Sequence, residues 1–303
     1  MAVLEGKPVA EIVHAEVQKK IAGLRPAAGR PPGLAVIIAG DDPASQSYVA
    51  AKEKTARKLG IESRVLRFPA TVTRDELLVA VRGLNRDPAV DAVLVQLPVP
   101  AHVDSWEILE AMDPAKDVDR FHPFNQGLIQ LNRADLFPCT PAGIMRVLDH
   151  YGIEVSGMNA AVVGRSFIVG KPMALMLSNR NATVTICHSR TRDLGALLSR
   201  MDLVVAAVGR AGFIASDWVR TGAVLIDVGI NRVTTEEEFR RFASPAQEEA
   251  FRKKGSVLVG DIHPAATAKA AHYTPVPGGV GPMTVAMLMY NTVELFERRI
   301  AKN

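Results

Sequence analysis

Apolar and polar positions follow two different rhythms along this chain of 303 residues. Short apolar runs rich in branched residues come at 34–39 and 90–95, with a further strand-like stretch at 64–68. They are too short for helices and read as buried strands. Around them, residues 9–24, 42–60 and 74–85 carry apolar side chains every three or four positions, the spacing of amphipathic helices. Strand, helix and strand in this order, with strands apolar throughout, predict βαβ units and a parallel sheet. A second series starts at 159–164, with a helix at 169–178 and strands at 182–187, 202–208 and 223–228. An amphipathic helix over 282–299 closes the chain.

Residues 112–141 break the pattern with Pro114, Pro123, Pro138 and Pro141, so they predict a crossing between domains together with a functional loop. Thr140 followed by Pro141 then caps a helix running to about Tyr151. The fold class is α/β: two α/β domains, the second Rossmann-like, with a cleft between them. The predicted boundaries are 1–140 plus 275–303 for the first domain and 141–274 for the second. Residues 234–254, rich in Glu and Arg, read as a solvated insertion without chemistry.

Composition narrows the partners. Hydrophobic residues at 48% and charged residues at 22% are those of a globular protein, and no apolar run approaches the ~20 residues that span a bilayer. Residues 1–13 are punctuated by Glu5, Lys7 and Glu11 and lack a signal-peptide core, so a cytoplasmic location is expected. Cys139 and Cys187 are the only cysteines, which leaves no disulfide framework and no CxxC motif, and no metal is expected. The net charge of +4 is dispersed and lacks interleaved aromatics, so neither nucleic acid nor membrane is an expected partner. A basic pocket for a small anion stays open.

Within the 42–60 helix, Asp42 and Pro43 have the form of an N-cap and first residue, and Gly60 stands where the helix must stop. On a helical wheel Tyr48, Val49, Lys52, Thr55, Ala56 and Leu59 share the inward side, while Glu53, Lys54, Arg57 and Lys58 face out. Tyr48 and Lys52 are neighbours at i and i+4, so phenol and ammonium can address one pocket. An inward, desolvated lysine can do proton chemistry; equally, its stem can line an apolar face while the head reaches the rim. On this segment alone the second reading is the simpler. Gln96 follows a strand at the same predicted sheet edge. For Asp117 and Asp119, turn chemistry and ligand binding are equally open.

In the second half, Gly164-Arg-Ser-Phe-Ile-Val-Gly170 joins a strand to a helix, where a Rossmann domain holds pyrophosphate against a helix N-terminus. After the next strand an NAD site would place an acidic residue for the ribose 2′-hydroxyl. Here Cys187-His-Ser-Arg-Thr191 offers Ser189 and Arg190, which suit a 2′-phosphate and hence NADP, or else form an ordinary polar loop. Backbone at 209–212 and 227–232 can approach the nicotinamide ribose. Thr274-Pro-Val-Pro-Gly-Gly-Val-Gly-Pro-Met-Thr284 combines rigid prolines with glycines that leave room for a ligand.

Together these segments resemble the FolD family, the bifunctional methylenetetrahydrofolate dehydrogenase/methenyltetrahydrofolate cyclohydrolases. The resemblance is carried by Asp41-Asp-Pro-Ala-Ser-Gln-Ser-Tyr-Val-Ala-Ala-Lys52, Gln96-Leu-Pro-Val-Pro-Ala-His102, Lys116-Asp-Val-Asp119 and Pro138-Cys-Thr-Pro141. It continues through residues 163–173, 183–191, 227–232 and 274–284, in the family's order. It implies a homodimer that binds tetrahydrofolate one-carbon derivatives in the cleft between domains and uses NADP. By position it implies that Lys52 is the catalytic lysine, with Tyr48 along the folate, Gln96 tuning the lysine and Asp119 gripping the pterin. Gly164, Arg165, Ser166, Ser189 and Ile230 would contact NADP, and Gly278, Gly279 and Val280 would lie in a turn against the substrate.

Two positions depart from the family pattern. Arg120 stands where a glycine usually follows the second aspartate; if φ is positive there, arginine is strained. The 234–254 insertion lengthens a segment that is usually short. His263, after Gly260-Asp-Ile, is expected to be structural.

Overall fold

The computed structural model describes residues 2–301, which fall into two compact units. One comprises Ala10–Cys139 and the chain from Val285 on; the other comprises the residues up to Val9 and Thr140–Thr284. The boundaries differ from those expected at both ends of the chain. Strand β1 (Ala2–Val3) joins the second unit's sheet, with Leu4 N donating to Tyr273 O at 2.7 Å. Residues 275–284 stay with that unit because Gly6 N donates to Gly278 O at 2.9 Å, which ties the turn to it. A two-residue strand has no periodicity for a sequence to display. Helix α1 (Gly6–Ala28) then carries the chain into the first unit, longer at both ends than its apolar spacing suggested.

The first unit holds β2 (Gly33–Ala39), α2 (Pro43–Leu59), β3 (Glu62–Phe68), α3 (Arg74–Arg86) and β4 (Ala92–Val95). The three strands are parallel in the order β3-β2-β4, with Leu34 opposite both Ser63 and Ala92. Every residue of β2 and β4 is buried, whereas the edge strand β3 is partly exposed along its length. Asp42 caps α2 by accepting from Ser45 N at 2.8 Å, an interaction that stabilises a helix by about 1 kcal/mol. Gly60 ends it at φ 83°, as a left-handed C-cap.

The proline-rich segment is more ordered than expected. Lys116–Val118 lies beside β4, with Val93 N donating to Lys116 O and Val118 N to Val93 O. After α4 (Ser105–Glu110), helix α5 (Pro123–Gln130) begins where the His122 ring accepts from Phe124 N and Pro123 takes the first turn. That proline opens a helix, although prolines in a series weigh as breakers when only the sequence is considered. Helix α6 (Cys139–His150) starts at Cys139, so Thr140 is a helical residue and not its cap.

The second unit alternates β5 (Asn159–Val163), α7 (Gly170–Asn179), β6 (Thr183–Cys187), α8 (Leu194–Leu198), β7 (Leu203–Ala206) and β8 (Val224–Asp227). There follow β9 (Asn231–Val233), α9 (Glu236–Phe242), α10 (Glu248–Lys254), β10 (Val257–Val259), α11 (Pro264–Thr267) and β11 (His272–Tyr273), and then α12 (Val280–Ile300), which belongs to the first unit from Val285 on. The main sheet is parallel in the order β1-β11-β8-β7-β5-β6. The insertion is not simply solvated. β9 and β10 pair antiparallel at its base, and Phe239 stacks on Phe251 at 4.7 Å over buried Val233, Val257 and Val259. Among the described residues no helix is long and apolar enough to cross a membrane.

Candidate active site

In the first unit, the inward face of α2 is formed by Val49, Lys52, Ala56 and Leu59, all buried, with Lys54, Arg57 and Lys58 exposed on the other side. Lys52 is only 8% exposed, and Nζ donates to Gln96 Oε1 at 2.9 Å. Gln96 follows β4 directly. Its backbone N donates to Ile37 O at 2.8 Å and its side-chain Nε2 to Leu97 O at 2.7 Å. Both ends of the glutamine are therefore fixed, and its carbonyl oxygen is committed to the ammonium. Tyr48, at 37% exposed, lies at the edge of this face, with burial of its ring pushing the phenol pKa upward.

The two aspartates of the Lys116–Asp119 run have different jobs. Asp117 is fully buried, and Oδ2 accepts from His122 N and Asn125 Nδ2, each at 2.8 Å. That is turn chemistry. Lys116 is also structural: Nζ donates to Leu84 O and Asp87 O at the C-terminal end of α3. Asp119 is partly buried, and among the described residues no backbone donor meets its carboxylate. Burial pushes that carboxyl above the usual carboxylate range, while the nearby Lys52 charge pulls it back and Asp117 raises it further. Cys139 sits against it, and burial together with Asp119 holds the thiol well up.

Asn291 was missed in reading the sequence. This buried α12 residue donates from Nδ2 to Val118 O at 2.9 Å and Phe137 O at 3.0 Å, and lies 3.6 Å from Cys139 Sγ. It ties down Val118, which precedes Asp119, and touches Cys139, which sits against that carboxyl. The only available signal was a polar residue on the apolar face of a helix.

In the second unit the candidate cofactor residues lie in loops after the carboxyl ends of parallel strands, where α/β sheets bind ligands. Gly164 follows β5 at φ 133°, and a Cβ there would stand 2.3 Å from Ala207 O. A Cβ on Gly170 would stand 2.3 Å from Gly164 O, so the first turn of α7 closes on bare backbone. Ser166 Oγ accepts from Val169 N and Gly170 N at 3.2 and 3.3 Å, capping that helix, and Arg165 is exposed beside it. Ser189 and Arg190 are exposed immediately after β6, and no acidic residue appears before Asp193. Their loop is held by Arg190 N donating to His188 Nδ1 and by His188 N donating to Thr191 Oγ1. Ile230, after β8, is exposed and borders Gly281. Gly278 takes φ 110°, and a Cβ on Gly279 would press on Pro275 O. Val280 is buried at the start of α12.

Two buried aspartates brace these loops. Asp261 accepts from Val208, Gly209 and Arg210 backbone N at 2.7–2.9 Å and from Asn231 Nδ2 at 2.9 Å. Asp227 accepts from Gly229, Asp261 and Ile262 N. Burial nevertheless raises its carboxyl to about 7. Asp261 was not singled out from the sequence; the flanking Gly260 and Gly229, where a Cβ would strike the two carboxylates, were the available hint. His263 is structural, its ring accepting from Ala265 N. Among the described residues no group of three or more His, Cys, Asp or Glu could hold a metal ion.

The chain is similar to known proteins along nearly its whole length. The chain matches the family described as tetrahydrofolate dehydrogenase/cyclohydrolase, catalytic domain, over residues 4–119, and its NAD(P)-binding domain over residues 138–300. The "Bifunctional protein FolD" of Koribacter versatilis is 50% identical over 299 residues, covering 98% of this chain and 97% of that protein. The crystal structure of the bifunctional methylenetetrahydrofolate dehydrogenase/cyclohydrolase of Campylobacter jejuni is 40% identical with a TM-score of 0.89, covering 99% of each chain. The Trypanosoma brucei enzyme, solved with NADP cofactor and inhibitor, is 36% identical with a TM-score of 0.89, covering 99% of this chain and 98% of its own. With matches at these levels along nearly its whole length, the chain belongs to the tetrahydrofolate dehydrogenase/cyclohydrolase family.

Proposed function

We propose that this chain oxidises 5,10-methylenetetrahydrofolate to 5,10-methenyltetrahydrofolate with NADP and then hydrolyses that cation to 10-formyltetrahydrofolate. The observation that carries the reading is the buried Lys52 ammonium held by the neutral carbonyl of Gln96 at 2.9 Å. Hydrolysis needs a proton taken from the attacking water and one returned to the departing ring nitrogen, and Lys52 performs both transfers. Gln96 aims Nζ without placing a countercharge on it; a carboxylate in its place would lock the ammonium in its charged form. Tyr48 lies along the folate. Asp119 accepts from the aminopterin edge, where a carboxylate receives two parallel donors.

Oxidation needs positioning more than a base, because the substrate's nitrogen lone pairs stabilise the cation that forms. When bound, NADP supplies the hydride acceptor. The residues fit it: Gly164 and Gly170 let the β5–α7 turn close on bare backbone, which leaves no side chain between that turn and a bound pyrophosphate. Arg165 and Ser166 line that turn, Ser189 and Arg190 offer a hydroxyl and a guanidinium to the 2′-phosphate, and Ile230 contacts the nicotinamide side. Gly278, Gly279 and Val280 form the turn against the substrate. The same reading makes the protein a cytoplasmic homodimer without nucleic-acid or membrane partners.

The test is a cofactor-resolved assay: purified protein is given 5,10-methylenetetrahydrofolate with NADP or NAD, and methenyl formation and its hydrolysis are both followed. Turnover with NADP and onward hydrolysis are expected. Turnover with NAD alone would overturn the Ser189/Arg190 assignment, and folded protein silent with both cofactors would overturn the activity.

A further inference from the structure

Arg120 is the least comfortable residue of the first unit. It takes φ 61°, a left-handed conformation that costs a residue with a Cβ on the order of 1 kcal/mol. Its side chain is 4% exposed. Nη1 donates to Pro114 O at 3.2 Å and to Asp117 O at 3.4 Å, but Nε is buried and meets no acceptor among the described residues. Asp117 Oδ1 is likewise buried without a hydrogen-bond partner among the described residues. Burial accordingly lowers the guanidinium pKa, Asp117 opposes that, and Arg298 adds to it. Strain of this kind persists where the fold enforces it, and it concentrates at ligand clamps.

Arg120 lines a cavity of about 380 Å³ whose wall includes Arg133, Arg298 and Arg299 against Asp113 and Asp135. The two aspartates are already engaged. Asp135 pairs with Arg298 at 2.8 Å, and Asp113 Oδ1 accepts from Ala115 N at 2.8 Å. Arg299 is held by Asp91 at 3.2 Å and by Pro88 O. Arg133 is exposed and makes no ion pair among the described residues, so it and Arg120 are the cations left over. Phe124, 61% exposed, and Leu128 give the cavity an apolar side.

We propose that this cavity is an anion site for a dianionic phosphoryl group, free or as the head of a small phosphorylated metabolite, clamped between Arg120 and Arg133. Guanidinium forks match phosphoryl oxygens geometrically, and a dianion supplies the acceptors that the desolvated arginine lacks. The exposed Phe124 and the partly buried Leu128 suit a compact body attached to the phosphoryl group. The site is separate from the proposed NADP-binding residues and does not depend on the proposed activity.

The experiment is a thermal-shift titration of the full chain with inorganic phosphate and, in parallel, with AMP, at matched ionic strength. Saturating NADP is present throughout, so that nucleotide-site anion binding is already filled. A saturable rise in Tm is expected with phosphate. AMP acting at lower concentration identifies a metabolite head, and equal potency identifies free phosphate. Arg133→Gln, an exposed substitution that leaves the fold intact, should weaken the apparent affinity at least about tenfold, as loss of one charge-assisted bidentate contact does. Arg120→Gly relieves the left-handed strain and should abolish the response while raising the Tm without phosphate. A wild-type protein without a saturable response, or either variant responding like wild type, overturns the proposal.

Discussion

The two units solve the problem of building a site in opposite ways. In the catalytic unit, side chains converge: Lys52 from a helix, Gln96 from a strand end and Asp119 from a loop laid beside β4. In the nucleotide-binding unit, side chains are removed so that backbone can approach: Gly164, Gly170 and Gly279 each stand where a Cβ would strike another part of the chain. The first kind of site fails when a functional group is changed, the second when an atom is added. The difference follows from the chemistry. Proton transfer needs a group of the right basicity, whereas a bound cofactor brings its own reactivity and needs a shaped, donor-lined seat.

The largest effect that sharpens this contrast is expected from Gln96→Glu. A carboxylate at hydrogen-bonding distance from Lys52 Nζ fixes the ammonium in its charged form, and hydrolysis of methenyltetrahydrofolate should fall about a hundredfold or more, as for loss of a general base. NADP binding should not change, which fluorescence titration of the bound nucleotide would check. A matching fall in NADP affinity would break the division between the units.

Gly164→Ala comes next. The new Cβ would lie 2.3 Å from Ala207 O on a backbone at φ 133°, so the β5–α7 turn must shift. The KM for NADP should rise about tenfold or more, as expected from ~1.4 kcal/mol or more of strain expressed at the cradle. Steady-state kinetics with NADP varied would measure it, and an unchanged KM would show that the turn does not shape the nucleotide seat.

How much of this was legible beforehand follows the same division. The α2 cap, the C-terminal glycine and the inward lysine could be read because capping and helical periodicity are local properties. The Tyr48/Lys52, Gln96 and Asp117/Asp119 motifs carried the family resemblance, which pointed to Asp119 as the ligand residue, yet spacing alone could not say which aspartate was structural. That depends on His122 and Asn125 reaching Asp117, contacts formed only on folding. Asn291 and Asp261 were missed for the same reason, since each satisfies backbone groups distant in sequence. β1 and β11 were too short to show a period, and the boundary at Val9 went with them. The insertion's charged composition hid the stacked Phe239 and Phe251.

The smallest effect concerns Asp227, whose folded carboxyl titrates at about 7 against an ordinary value of 3.8. The folded state therefore binds the proton more tightly than the unfolded chain. Stability from this group is full below about pH 4 and is lost as pH rises towards about 7. The slope is on the order of 1 kcal/mol per pH unit within that window. Asp227→Asn should flatten the fall of Tm between pH 5 and 7, measured by calorimetry on both proteins. An equally steep fall in the variant would assign the dependence to other groups.

The central claim is that Lys52 does the proton chemistry of hydrolysis and has no part in seating the nucleotide. The most direct measurement is the hydrolysis rate of added methenyltetrahydrofolate by Lys52→Met, with the NADP dissociation constant measured on the same preparation. The account predicts hydrolysis reduced by about a hundred- to ten-thousandfold, with an unchanged NADP constant. Hydrolysis at the wild-type rate by that protein would contradict it.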